Sequence, residues 1–93
     1  MKLLTLHRID KLMKMNNIEV AHASPGRIRI KSPLWKNHKT IGERLRVWAT
    51  EEQSVIEAVH NIDTGSILIR YHTFAPINPE SIEAWLIRLI RES

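Results

Sequence analysis

The 93-residue chain contains no cysteine. That one absence excludes disulfides, thiolate metal sites, cysteine nucleophiles and thioredoxin-like redox chemistry. The soft metal ligands that remain are five histidines and three methionines. There is also no apolar run of about 18 residues, the length needed to cross a bilayer. The opening "MKLLTLHRIDKLMKMNN" is broken by His7, Arg8 and Asp10 too early for the apolar stretch of a signal peptide. The sequence therefore reads as that of a cytoplasmic protein, peripheral to a membrane at most. A Gly-rich phosphate loop is missing. No serine, histidine and aspartate stand in a catalytic pattern, and no carboxylate pair has an evident cause for a shifted pKa, so a non-enzyme is expected. Its cofactor is left unassigned.

What is present is an ordinary globular composition, 43% hydrophobic and 26% charged. One domain is expected at this length, with a core limited to roughly 60–65% burial of the unfolded surface. The net charge of +4 is unevenly spread. Residues 1–46 carry eleven Lys/Arg against three acids, +8; residues 47–93 carry three arginines against seven acids, −4. A basic first half suits an anionic partner: nucleic acid, a membrane surface or an acidic protein patch. It equally suits a chain whose basic and acidic halves neutralise one another.

The stretch "HASPGRIRIKSP", His22 to Pro33, holds the strongest pattern. "IEVAH" is β-prone, "SPG" interrupts it, and "RIRIK" alternates strictly, with Ile28 and Ile30 on one face and Arg27, Arg29 and Lys31 on the other. The Pro25-Gly26 break predicts either one bent strand or two short ones. "SPLWKN" follows as a loop in which Trp35 is the best candidate for an exposed aromatic. Asn37 is expected to cap a helix from about His38, with Ile41, Leu45 and Trp48 as its apolar stripe. "SVIEAVHN" and "SILIRYHT" read as a hairpin about Gly65. After the loop "APINPE", Asn78 and Pro79 open a last helix carrying Ile82, Leu86 and Leu89, with Trp85 flanking the stripe. Residues 1–17 form an N-terminal extension, either a short helix or an edge strand, and residues 18–93 form the domain. The order strand, helix, strand, strand, helix is α+β, with two helices on one face of an antiparallel sheet. It corresponds to a ferredoxin-like βαββα(β) sandwich from which the last strand is missing.

Parity assigns Ile28, Ile30, Ile67, Ile69 and Tyr71 to the helix side. If the ladder order is first, third, second strand, the outer face holds Arg27, Arg29 and Lys31, then Leu68, Arg70 and His72, then Val55, Glu57 and Val59. Ile56 and Ala58 then fall to the core. Only Glu57 is placed to neutralise a cation there, opposite Arg70, which leaves Arg27 and Arg29 free beside the bend.

His22-x-x-Pro25-Gly26-Arg27-x-Arg29, followed after a helix by Thr64-Gly65-Ser66 and a β-rich run, resembles the cysteine-free heavy-metal-associated-like domain (HMA-like) over residues 18–91. That family includes the cytosolic N-terminal module of certain bacterial P-type metal-transporting ATPases and small free-standing proteins. The resemblance implies an accessory role in metal-ion transport or homeostasis, with a protein partner such as the membrane ATPase or its acidic surface. It does not imply thiolate copper transfer, for which no ligands exist.

Three binding readings follow. His22, Pro25, Gly26, Arg27, Arg29, Lys31 and Arg70 are candidates for docking a partner or anion, since the planar arginine fork suits carboxylates. The same basic face would serve a non-specific nucleic-acid-binding module through phosphates. Histidines His22, His60 and His72 are weak metal candidates, with His60 and His72 expected to approach each other across the hairpin, though a zinc site usually takes three or four protein ligands. An exposed sheet edge would also allow a homodimer.

Overall fold

The computed structural model describes residues 2–74 and 78–93. Eight elements follow one another: α1 (Lys2–Met15), β1 (Glu19–Ser24), β2 (Arg27–Lys31), a single 3-10 turn (Pro33–Trp35), α2 (Ile41–Glu51), β3 (Val55–Asn61), β4 (Ser66–Tyr71) and α3 (Pro79–Glu92). The four strands form one antiparallel sheet in the order β1-β2-β4-β3. The architecture is α+β and ferredoxin-like, and the ladder β2-β4-β3 meets the condition on which the parity assignment of the outer face rests.

Three features shape the molecule. The Pro25-Gly26 break separates two short strands, one of its two expected forms. It is a two-residue turn that pairs Ser24 with Arg27 and folds β1 back along β2. Proline presets the first turn residue, and Gly26 takes the second at φ 79°, where a side chain would be strained. Secondly, of the two forms expected for the N-terminal segment, helix or edge strand, the helix is the one found: α1 runs for 14 residues and adds a third helix to the layer. Thirdly, the position beside β2 that a closing strand after α3 would take in a βαββαβ unit is not vacant. β1 fills it from the N-terminal side.

The core lies between the sheet and the helices. Ile30, Ile67 and Ile69 from the strands meet Leu45 and Trp48 of α2 and Leu86 and Leu89 of α3, all less than a tenth exposed. Ile28 and Tyr71 pack against this cluster more loosely. Trp85 does not merely flank the stripe: it is buried, edge-on to Trp48 with centroids 5.9 Å apart. Ile82, by contrast, remains 37% exposed. On β3 a bulge between Val55 and Glu57 inserts one residue, which reverses parity at the strand's start. Val55 is therefore buried and Ile56 exposed, the opposite of the expected assignment. Beyond the bulge, Glu57 and Val59 face outwards as predicted.

Helix α3 starts as its sequence dictates. Asn78 Oδ1 accepts from the Ser81 N–H at 2.8 Å, and Pro79 follows. The expected loop over residues 75–77 lies outside the described residues. The start of α2 differs from expectation. Asn37 sits in the left-handed region at φ 60°, three residues short of the helix. It is the imidazole of His38 that accepts from the Ile41 N–H, through Nδ1 at 3.2 Å. With Nδ1 accepting, Nε2 carries the proton and donates to the Ser93 carbonyl at 3.3 Å.

Helix α1 lies alongside α3 in the same direction. Arg8 grips Glu83 with two hydrogen bonds, 2.6 Å from Nε and 3.1 Å from the guanidinium tip. The bond to Arg8 holds the Glu83 carboxyl below its ordinary range. At the other end of α1, Ser32 Oγ donates to the Asn16 carbonyl at 2.8 Å. Between these two fastenings Ile9 and Met13 pack against the core.

Candidate functional site: an open basic sheet face

Among the described residues no helix covers the outer side of the sheet. The register places its side chains in rows: Ser24, Arg27, Arg70 and Glu57 in one, and His22, Arg29, Leu68 and Val59 in the next. A third row holds Glu19, Lys31, Ser66 and Asn61. Arg27, Arg29 and Lys31 are exposed, and no described residue bonds to their charged groups. Arg70 is different. Its guanidinium donates to Glu57 Oε1 at 3.0 Å, so it is compensated and leaves the set of free cations. Arg27 directly opposes Arg70, which places two like charges side by side across the ladder. Strict alternation in β2 is what puts these three cations on one side, none of them in an ion pair although Glu19 stands opposite Lys31, while Ile28 and Ile30 anchor the other.

The face is not purely basic. Val59 is 49% and Ile56 46% exposed, and Leu68 lies between Arg29 and Val59. It offers no aromatic platform, however. Trp35, Trp48 and Trp85 are buried, and Tyr71 points to the helix side. The exposed ring is that of Phe74, 82% accessible beyond the end of β4 and 4.9 Å from His72; the rows of the face themselves give a single-stranded nucleic acid phosphate contacts without a ring on which to stack its bases.

Trp35 is the largest correction among the aromatics. The residue expected to be exposed has no accessible surface at all. Its indole N–H donates to Ser93 Oγ at 2.9 Å, and its carbonyl accepts from the His60 ring at 2.6 Å.

That bond also bears on the histidines. His60 faces the helix side of β3, opposite Ile67. His72 lies beyond the other end of β4, its ring 4.9 Å from that of Phe74. The two imidazoles do not meet, because the register pairs the start of β3 with the end of β4. His22 stands on the far edge of the sheet beside Arg29. Among the described residues no group of three or more His, Cys, Asp or Glu side chains could hold a metal ion. The sequence holds no cysteine, and His38 and His60 are engaged in bonds to the backbone.

A second feature lies on the helix side. An apolar groove of about 250 Å³ runs between β1, β2 and the helices α1 and α3. Its walls include Met13, Val20, Ile28, Ile82 and Trp85. It exists because β1 brings little bulk to the helix side: Val20 and Ala23 are its contributions, and both are exposed. Sequence reasoning missed it, since the depth of a groove depends on how far α1 stands off the sheet.

A ferredoxin-like α+β domain with Arg27, Arg29 and Lys31 exposed on one side of its sheet and no thiolates is thus the class that fold and site define. The chain belongs to the heavy metal associated domain 2 family, which matches residues 9–93 and so begins within α1. No curated protein and no solved structure matches it significantly. Among the described residues no helix is long and apolar enough to cross a membrane.

Proposed function

We propose that this chain is a non-enzymatic binding and regulatory module serving metal-ion transport or homeostasis, which docks through its basic strand face onto an acidic surface of a membrane metal ATPase. Family membership supports the metal-associated role. The absence of cysteine and the scattered histidines turn that role away from carrying the ion and towards engaging a protein that does. The observation that carries the docking mode is the set of uncompensated cations Arg27, Arg29 and Lys31 on an open face. Two adjacent guanidinium forks suit carboxylates, and a rigid sheet holds their spacing.

The double variant Arg27→Ala/Arg29→Ala tests the reading. Both side chains are exposed and unbonded, so stability should stay within about 1 kcal/mol of the parent. Metal tolerance of cells carrying the variant should fall to that of cells lacking the gene. Full tolerance with a folded double variant would mean that the face is only the wet side of a sheet.

A further inference from the structure

We infer that the free edge of β1 is a site for β-augmentation, and that it takes an extended segment of another protein whose side chains alternate between aliphatic and acidic. The inference rests on the docking face proposed above and names the chemistry of its partner.

Three observations converge on this edge. The first is backbone supply. β1 ends the sheet, and five of its six residues are exposed. The two-residue turn makes Ser24–Arg27 a hydrogen-bonded pair, so the alternation of an antiparallel ladder turns the N–H and C=O of Ala23 away from β2. The bond from the Tyr71 N–H to the Gly26 carbonyl, 3.0 Å, fits that phase on the other side of β2. A bulge between Val20 and His22 interrupts the edge, so the regular ladder available is short and begins at His22. Side chains must therefore add to the recognition.

The second observation is the groove, which reaches the edge at Val20 and has Ile82 on its opposite wall. An added strand would direct every second side chain into it. The lining is predominantly apolar, which favours aliphatic or aromatic side chains there.

The third is charge. The remaining side chains of the added strand would stand on the outer face beside His22, two strand spacings or roughly 10 Å from β2. Long carboxylate side chains there meet the forks of Arg27 and Arg29, which have no other partner. The opposite edge offers less: β3 presents Glu57 on its outer side, already bound to Arg70, and no residue of β3 lines the groove.

The test is a titration of the full chain with a blocked octapeptide of alternating valine and glutamate, with the valine–lysine peptide as control. Backbone NMR should show the Ala23 amide shifting and gaining protection from exchange, and Trp85 fluorescence should change. Ala23→Pro removes a donor that β2 does not use, and an edge strand tolerates proline there; it should weaken binding at least tenfold. Val20→Glu sets a like charge at the mouth of the groove and should weaken binding similarly, so the test does not depend on the proline variant folding. Binding that ignores both variants and shifts Leu68 and Val59 instead would overturn the edge site while leaving the basic face standing. Equal binding of the lysine peptide, or no binding of the glutamate peptide, would overturn the inference outright. So would a dimer of the free chain in ultracentrifugation that Ala23→Pro abolishes, since the edge would then belong to a second copy. Metal tolerance of the Arg27→Ala/Arg29→Ala cells judges the docking face separately.

Discussion

Trp35 donates its indole N–H to the hydroxyl of Ser93 across 2.9 Å, which ties the turn after β2 to the end of α3. Ser93 passes the bond on, its own hydroxyl donating to the Leu89 carbonyl at 2.9 Å. The end of α3 is thus tied to the Trp35 side chain, which is fully buried, while His60 of β3 bonds the main-chain carbonyl of the same residue. Trp35→Ala should therefore cost about 3–5 kcal/mol, as truncating a large buried aromatic does. Trp35→Phe should keep most of the packing and lose roughly 1 kcal/mol for the hydrogen bond. Denaturant titration of both variants checks the order; a Trp35→Phe variant as stable as the parent would mean that the bond to Ser93 contributes nothing.

Ile30 is 4% exposed in the middle of the sheet's inner face. Truncation to alanine should cost about 2–5 kcal/mol and lower the melting temperature accordingly. An unchanged melting temperature would contradict the core described above.

Gly65 occupies φ 71°, and a β-carbon there would sit 2.7 Å from the Ser32 carbonyl oxygen and 3.0 Å from the Lys36 nitrogen. Both obstacles are backbone and cannot swing aside. Gly65→Ala should destabilise the fold by roughly 1–3 kcal/mol, the range of a strained backbone position. The same substitution at Gly42, where the new atom meets His60 only at ordinary contact distance, should be far milder.

The clasp between α1 and α3 should respond to pH. Arg8 holds the Glu83 carboxyl below its ordinary range, so the ionised form favours the docked helix. Its contribution is whole above the unperturbed glutamate pKa of about 4.3 and is lost as pH falls through the lowered value. Hydrogen exchange of α1 amides, compared with that of β4, should show α1 loosening first in acid. Glu83→Gln should loosen it at neutral pH. Equal protection of α1 in parent and variant would show the clasp to be ornamental.

Without thiolates the protein should not hold copper(I) tightly. Competition with a chromogenic copper(I) chelator measures this. Stoichiometric capture by the protein from a tight chelator would show that imidazole and thioether ligands suffice.

Much of this molecule is written in short-range pattern. "RIRIK" announces both the core residues and the open basic face, because a strand of period two has no other way to place them. Asn78-Pro79 and Gly65 are equally legible, each answering to a local backbone demand. The misreadings share a different cause. Trp35 lies among loop residues, and its burial is decided by α3, some fifty residues away in sequence. One inserted residue near Ile56 exchanges inside for outside, and no composition signal marks it. Asn37 is the better cap by residue type, yet the helix starts later and His38 reaches it instead. The turn at Pro25-Gly26 was visible, but whether it bends one strand or reverses the chain depends on what lies beside β2.

That reversal bears on how quickly the chain can fold. A closing strand placed after α3 would have to return across most of the sequence to pair with β2. β1 makes the same pairing across two turn residues. Contacts of short sequence separation form at little loop-closure cost, and proteins rich in them fold faster. The hairpin can zip before α2 or α3 has found its place, giving β4 a ready two-stranded template on which to dock. A circular permutant that moved residues 1–24 behind α3 should keep the native sheet and fold measurably more slowly.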